Sequence, residues 1–142
     1  MRFITTMAAC LAACAAASPV DKKQPETVAV RDFAARIASS PDGSKMAVKF
    51  TMDGGGAKNL ECAAGDLPLY DSGVRRCGNS PYSFEIYTTA DELTFMVRVL
   101  HQLRPGVQSS GQEQVPTQCT PGPNDVLVCS QNGAVTVRMD SQ

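Results

Sequence analysis

Four cysteines carry the chemistry that this sequence advertises most clearly: Cys62, Cys77, Cys119 and Cys129. Two thiols become a covalent crosslink when oxidised; of the chain's six cysteines, Cys10 and Cys14 fall in the N-terminal segment expected to be removed, and the remaining four read as a two-bridge framework. A zinc site is the competing use of such a set. It wants C-x-x-C spacing or clustered histidines, and the chain has neither that spacing nor more than one histidine, His101. Four cysteines allow three pairings. Each of the pairs Cys62–Cys77 and Cys119–Cys129 brackets turn-rich sequence that can return the chain to itself, so this is the pairing expected.

His101 is also the only candidate for a nucleophile-activating base. A hydrolytic site would have to be assembled from His101, Asp91 and Ser83, and a glycosidase pair from Glu85, Asp91 and Glu92. No motif ties these residues together, and acids on strands and turns ordinarily belong to wet faces. The expectation is a non-enzymatic protein without metal or cofactor. Gly54-Gly55-Gly56 is not followed by Gly-Lys-Ser/Thr or a helical pattern, so it reads as a hairpin loop and not a phosphate cradle.

The elements that must position these residues are mostly strands. Met46, Val48, Phe50 and Met52 alternate with Ala47, Lys49 and Thr51. Phe84 and Ile86 alternate with Ser83 and Glu85, and Leu93, Phe95, Val97, Val99, His101 and Leu103 share a second such face. Val135 and Val137 alternate with Thr136 and Arg138. Period-two patterns of this kind mean half-buried strands. Val126-Leu127-Val128-Cys129 is continuously apolar, which suits a strand covered on both sides. Pro41-Asp42-Gly43, Gly54-Gly55-Gly56, Thr89-Ala90-Asp91 and Asn132-Gly133 are turn chemistry, the last the sharpest hairpin signal. Residues 27–37 satisfy both a helical stripe and a strand start. Residues 104–117, rich in Gly, Pro, Ser and Gln, read as a long exposed loop. About seven short strands with frequent turns predict an all-β fold, a single antiparallel β-barrel or sandwich with two local disulfides.

Residues 1–18 have the layout of a secretory signal peptide: Arg2, a short alanine-rich apolar run and a small-residue exit at Ser18. Leu11-Ala12-Ala13-Cys14 alternatively resembles a bacterial lipobox. Removing residues 1–18 from a chain of 142 leaves a domain at 19–142 of 124 residues. Losing Arg2 leaves 12 basic against 14 acidic residues, a net charge of −2. That balance has no basic run, which argues against nucleic acid, and no apolar stretch long enough to span a bilayer follows. Lys22-Lys23 reads as a solvated tail. There is no N-glycosylation sequon: Asn79-Ser80-Pro81 lacks the acceptor pattern.

With these residues in view, the chain resembles the Alternaria major-allergen-like family of small secreted fungal β-barrel proteins. The likeness rests on Asn59-Leu60-Glu61-Cys62, a 14-residue gap to Cys77-Gly78-Asn79-Ser80, and the strand Tyr82 to Tyr87. It continues in Cys119, Pro121-Gly122-Pro123-Asn124-Asp125 and Val128-Cys129, and in Val30-Arg31-Asp32-Phe33 at the position of a first strand. The resemblance implies one antiparallel barrel, the same two bridges, export from a fungus, and action as an allergen or as an effector or elicitor at plant surfaces. It implies a host extracellular partner such as a thaumatin-like defence protein, and alternatively a flavonoid-like ligand held in the barrel mouth near His101 and Tyr87. It moves residues 27–33 towards strand. No cysteine lies between Pro19 and Asn59, so a homodimer would have to be non-covalent.

Within the 62–77 segment, Gly65, Pro68 and Gly73 favour turns. Leu67 and Leu69 are expected to cap the core, and Tyr70, Arg75 and Arg76 to point outward as a binding surface. Tyr and Arg are enriched among residues that dominate interfaces, and a crosslinked loop loses less entropy on binding.

Overall fold

The computed structural model describes residues 25–89 and 93–141. The proposed signal segment, Cys10, Cys14, Lys22, Lys23, Asp91 and Glu92 lie outside them. Among the described residues there are ten strands: β1 (Glu26–Ser40), β2 (Gly43–Gly54), β3 (Ala57–Pro68), β4 (Arg75–Arg76), β5 (Tyr82–Thr88), β6 (Phe95–Arg104), β7 (Val107–Val115), β8 (Thr117–Pro121), β9 (Leu127–Gln131) and β10 (Val135–Ser141). Every pairing among them is antiparallel, in the order β3-β2-β1-β10-β7-β6-β5-β4, with β9 beside β1 and β8 beside β9. The sheet curls into a nearly closed barrel whose seam lies between its two end strands, β3 and β4.

The alternation read from the sequence becomes the core. Met46, Val48, Phe50, Met52, Phe84, Ile86, Phe95, Val97, Val99, Val135 and Val137 are all buried. At its centre Phe33 sits 5.3 Å from Phe95 and 6.1 Å from Phe50, and Phe50 meets Phe84 edge-on at 5.0 Å. Such ring pairs add roughly 0.5–1.5 kcal/mol each beyond the area they bury. Leu93 lies before β6 and is exposed, and His101 and Leu103 near the end of β6 are only partly buried.

Residues 27–33 are strand, not helix. β1 runs 15 residues, long enough to take two partners end to end on one edge: β10 along Glu26–Val30 and β9 along Ala34–Ile37. Between them Asp32 adopts positive φ and the register with β2 shifts. The Gln131 side chain fills the break, accepting from Phe33 N at 3.0 Å and donating to Val30 O at 2.9 Å. Asn132-Gly133 therefore joins two collinear strands and is not a hairpin turn, which corrects the sequence expectation. The turns at Pro41-Asp42 and Gly55-Gly56 do close hairpins.

Residues 104–117 are likewise not a loop. Pro105-Gly106 turns β6 back into β7, with Gly106 at positive φ, and β7 pairs with β6 along its length. The strand is polar because most of it meets water: only Ser109 and Val115 are buried, and at Gly111 no side chain fits. A Cβ on Gly111 would overlap the backbone carbonyl of Arg138, so β10 crosses too closely for anything but glycine. The Val126–Cys129 run is also less covered than its composition suggests: only Cys129 is fully buried in β9.

Candidate functional site

Both disulfides form as expected, Cys62–Cys77 and Cys119–Cys129. Their placement differs. Cys119 and Cys129 are opposed residues of one strand pair. Cys62 belongs to β3 and Cys77 follows β4, so that bridge staples the two edges of the barrel seam. The chain between them must leave β3, cross the outside and return, and residues 69–76 do so pressed onto β5.

That segment is held by hydrogen bonds along its length. Thr88 N donates to Tyr70 O at 3.2 Å and Ser72 N to Ile86 O at 3.0 Å. The Thr88 hydroxyl donates to Leu69 O. Ser72, which is buried, accepts from Ile86 N at 2.8 Å and donates to Gly73 O at 2.7 Å. Gly73 N closes a local turn on Asp71 Oδ1 at 2.9 Å. Leu67 is buried and Leu69 packs against the core, as read from the sequence. The outward residues are then displayed on a fixed backbone: Tyr70 is 59% exposed and Val74 56%, with Arg75 and Arg76 exposed beside them. Arg75 spends its Nε on Ser72 O at 3.1 Å, which leaves Arg76 as the freer cation. Sequence reasoning missed Val74 and Ser72. An apolar residue wedged between Gly73 and two arginines was the available signal for the first.

His101 does not join this surface. It lies in β6 opposite Tyr82 and Ser109, at one end of the barrel. Its ring stacks on Tyr82 with centroids 4.0 Å apart and a 13° tilt. Its Nδ1 proton goes to Glu26 Oε2 at 2.8 Å, and the same oxygen accepts from Ser109 Oγ at 3.3 Å. Glu26 Oε1 and Gly55 O both lie 2.6 Å from the Tyr82 hydroxyl. The His101 and Glu26 side chains are only 14% and 16% exposed. Burial first, then the Glu26 hydrogen bond, holds the Tyr82 phenol protonated well above the ordinary tyrosine range. Gly55 stands at positive φ against the Glu26 side chain, which a Cβ at this position would push out of place. Beside this network, Lys58, Leu60, Ser80, Pro81, Tyr82 and His101 line a cavity of about 330 Å3 at the seam.

The register keeps Ser83 and His101 apart. Ser83 pairs with Leu100, one residue out of step with His101, so it falls on the other face of the sheet. Ser109 gives its proton to a carboxylate that His101 already occupies, so the imidazole is not placed to activate it. Glu85 is not a wet surface acid as expected. It is buried, with Arg98 3.5 Å away and the Tyr87 hydroxyl bonded to it. Tyr87 thereby faces the outer wall and not the mouth. Among the described residues no three His, Cys, Asp or Glu side chains gather as metal ligands.

Comparison with known proteins agrees with this geometry. No family model matches the chain. It is 28% identical over 124 residues to the effector protein PevD1 of Verticillium dahliae, covering 87% of this chain and 77% of that protein. Two crystal structures of the Alternaria alternata allergen Alt a 1 share the fold. One superposes with a TM-score of 0.62 at 18% identity over 82% of this chain and 94% of the allergen. The other gives 0.63 at 20% identity over 89% and 96%.

Proposed function

We propose that this chain, which belongs with the Alternaria major-allergen-like fungal proteins, is an exported, non-enzymatic effector that grips a host extracellular protein through its stapled loop. Export rests on the signal-like residues 1–18 and on two disulfides, which persist in oxidising surroundings. The observation that carries the reading is the coexistence of rigidity and exposure at residues 69–76. A loop bonded to β5 at Tyr70 and Ser72 holds Tyr70 and Val74 mostly in water. Apolar side chains kept exposed on an ordered backbone suit a macromolecular contact, with Arg76 supplying charge beside them. A thaumatin-like defence protein is the partner to test first. A captured complex should lose at least 100-fold in affinity when Tyr70, Val74 and Arg76 are all changed to alanine, with the circular dichroism and melting curve unchanged. Undiminished capture by that triple variant rejects the surface.

The cavity of about 330 Å3 beside His101 favours a second reading, carriage of a small flavonoid-like molecule at the barrel mouth. Tyr82 is one of three tyrosines in a chain without tryptophan, so tyrosine emission reports on this end. A flavonoid should quench it saturably, and Tyr82→Phe should remove much of the change. A flat titration counts against carriage.

A further inference from the structure

On the outer wall of the β1–β2 hairpin, where Lys45 also borders the start of the stapled loop at Leu69 and Tyr70, two cations stand without partners among the described residues. Arg36 lies opposite Ala47 and Lys45 opposite Ala38, so the two charges occupy diagonal positions on adjacent strands. Neither makes an ion pair or a side-chain hydrogen bond among the described residues. Arg31, by contrast, pairs with Asp53, and Lys49 with Glu61 at 3.5 Å. Like charges at neighbouring cross-strand sites repel, and an anion between them would remove that cost. The floor beneath them is alanine, Ala38 and Ala47, which keeps the sheet face flat and shallow.

Walls rise on both sides. β9 enters the sheet beside β1 through a 3-10 turn at Pro123–Asp125, where Asn124 takes positive φ and Gly122 N donates to Val126 O at 2.6 Å. That turn stands Pro123 and Val126 at one rim. At the other, β3 bulges between Ala64 and Leu67, and Asp66, also at positive φ, projects there. Together these residues enclose about 440 Å3, within the range of small-molecule sites.

We propose that this groove binds a small organic anion: a carboxylate or sulfonate clamped by Arg36 and Lys45, with a flat apolar body on Ala38, Ala47, Pro123 and Val126. Charge complementarity selects the acidic group, since two free cations face it. Asp66 at the far rim accepts hydrogen bonds, so a ligand with a hydroxyl or amino group remote from its acid fits better than a plain acid. Asp66 belongs to the segment that the Cys62–Cys77 bridge closes, but neither Tyr70, Val74 and Arg76 nor the mouth residues line the groove, so different variants test the two proposals.

The probe is 8-anilinonaphthalene-1-sulfonate, read by its fluorescence and by amide chemical shifts of the 15N-labelled protein. Saturable binding is expected, with shifts at Ala38, Ala47 and Val126. Arg36→Gln with Lys45→Gln should weaken it at least ten-fold without altering the melting curve, and the uncharged parent, 1-anilinonaphthalene, should bind at least ten-fold more weakly than the sulfonate. Equal binding by the double variant overturns the proposal. So do shifts centred on Ala57, Leu60 and Tyr82 with sensitivity to Lys58→Gln, which place the dye in the mouth cavity. Shifts at the groove that appear with rising protein concentration in the absence of dye also overturn it, because they assign the face to a second copy of the chain.

Discussion

Replacing Cys62 and Cys77 together by alanine is expected to lower the melting temperature by about 10 °C or more. The loop they close has a sequence separation of 15, worth about 3 kcal/mol of chain entropy. In a domain of this size each kcal/mol moves the midpoint by roughly 4 °C. The second bridge, with a separation of 10, has nearly the same entropic worth. The two should nonetheless differ. Cys119 and Cys129 join strands already hydrogen-bonded to each other. Cys62 and Cys77 join β3 to the chain after β4, the ends of the strand order. Without that bond the seam opens, water reaches the buried faces of β2 and β3, and the segment 69–76 loses one of its anchors. The Cys62/Cys77 variant should therefore be the less stable of the two double variants. It should also lose host-protein affinity where the Cys119/Cys129 variant keeps it. Thermal melts of both, with binding measured well below either midpoint, decide the matter. Equal destabilisation by the two pairs contradicts the seam role.

How much of this was legible follows from which forces act locally. The β2 and β5 faces were readable because alternation reports burial residue by residue, and Met46 to Met52 need only their own pattern. Tight turns at Pro41-Asp42 and Gly55-Gly56 were readable for the same reason. β7 was not. Its Gly111 faces the Arg138 carbonyl, which leaves no room for a side chain, and its buried Ser109 spends its hydroxyl on Glu26, so the apolar alternation by which strands are recognised is missing and only Pro105-Gly106 marked its start. Asn132-Gly133 misled because hairpin propensity says nothing about whether flanking strands have other partners. Here β1 takes both β9 and β10 on one edge, and Gln131 spans the gap. At the stapled loop, the outward course of Tyr70 and Arg76 was read from turn residues between bonded cysteines, of which Gly73 does stand in a turn while Gly65 and Pro68 belong to β3, which stays paired with β2 as far as Pro68. The anchoring of Ser72 against Ile86 did not, since it depends on a strand the loop meets only after folding.

Glu26 is the extreme case. It opens β1 just after the Lys22-Lys23 tail, where the sequence marks nothing, and its partners lie 56, 75 and 83 residues away. Its removal should nevertheless be felt strongly. Glu26→Ala strips the acceptor from His101 and Ser109 in a place largely closed to water, and is expected to cost about 2–3 kcal/mol. Glu26→Gln should cost less than about 1 kcal/mol, for a reason visible at Tyr82. Its hydroxyl has one proton and two acceptors at 2.6 Å, Glu26 Oε1 and Gly55 O. A glutamine can turn its amide NH2 towards the phenol oxygen, which frees the phenol proton for Gly55 O. Its carbonyl oxygen then still receives His101 and Ser109. Tyr82→Phe should be intermediate, because the ring keeps its stack on His101 while Gly55 O loses its donor. Urea midpoints at constant slope for the three variants test this order. If alanine is tolerated as well as glutamine, the carboxylate is a bystander, and the His101 ring is held by its stack on Tyr82 alone. If glutamine costs as much as alanine, the negative charge itself, and not the pattern of donors and acceptors, ties the start of β1 to the barrel mouth.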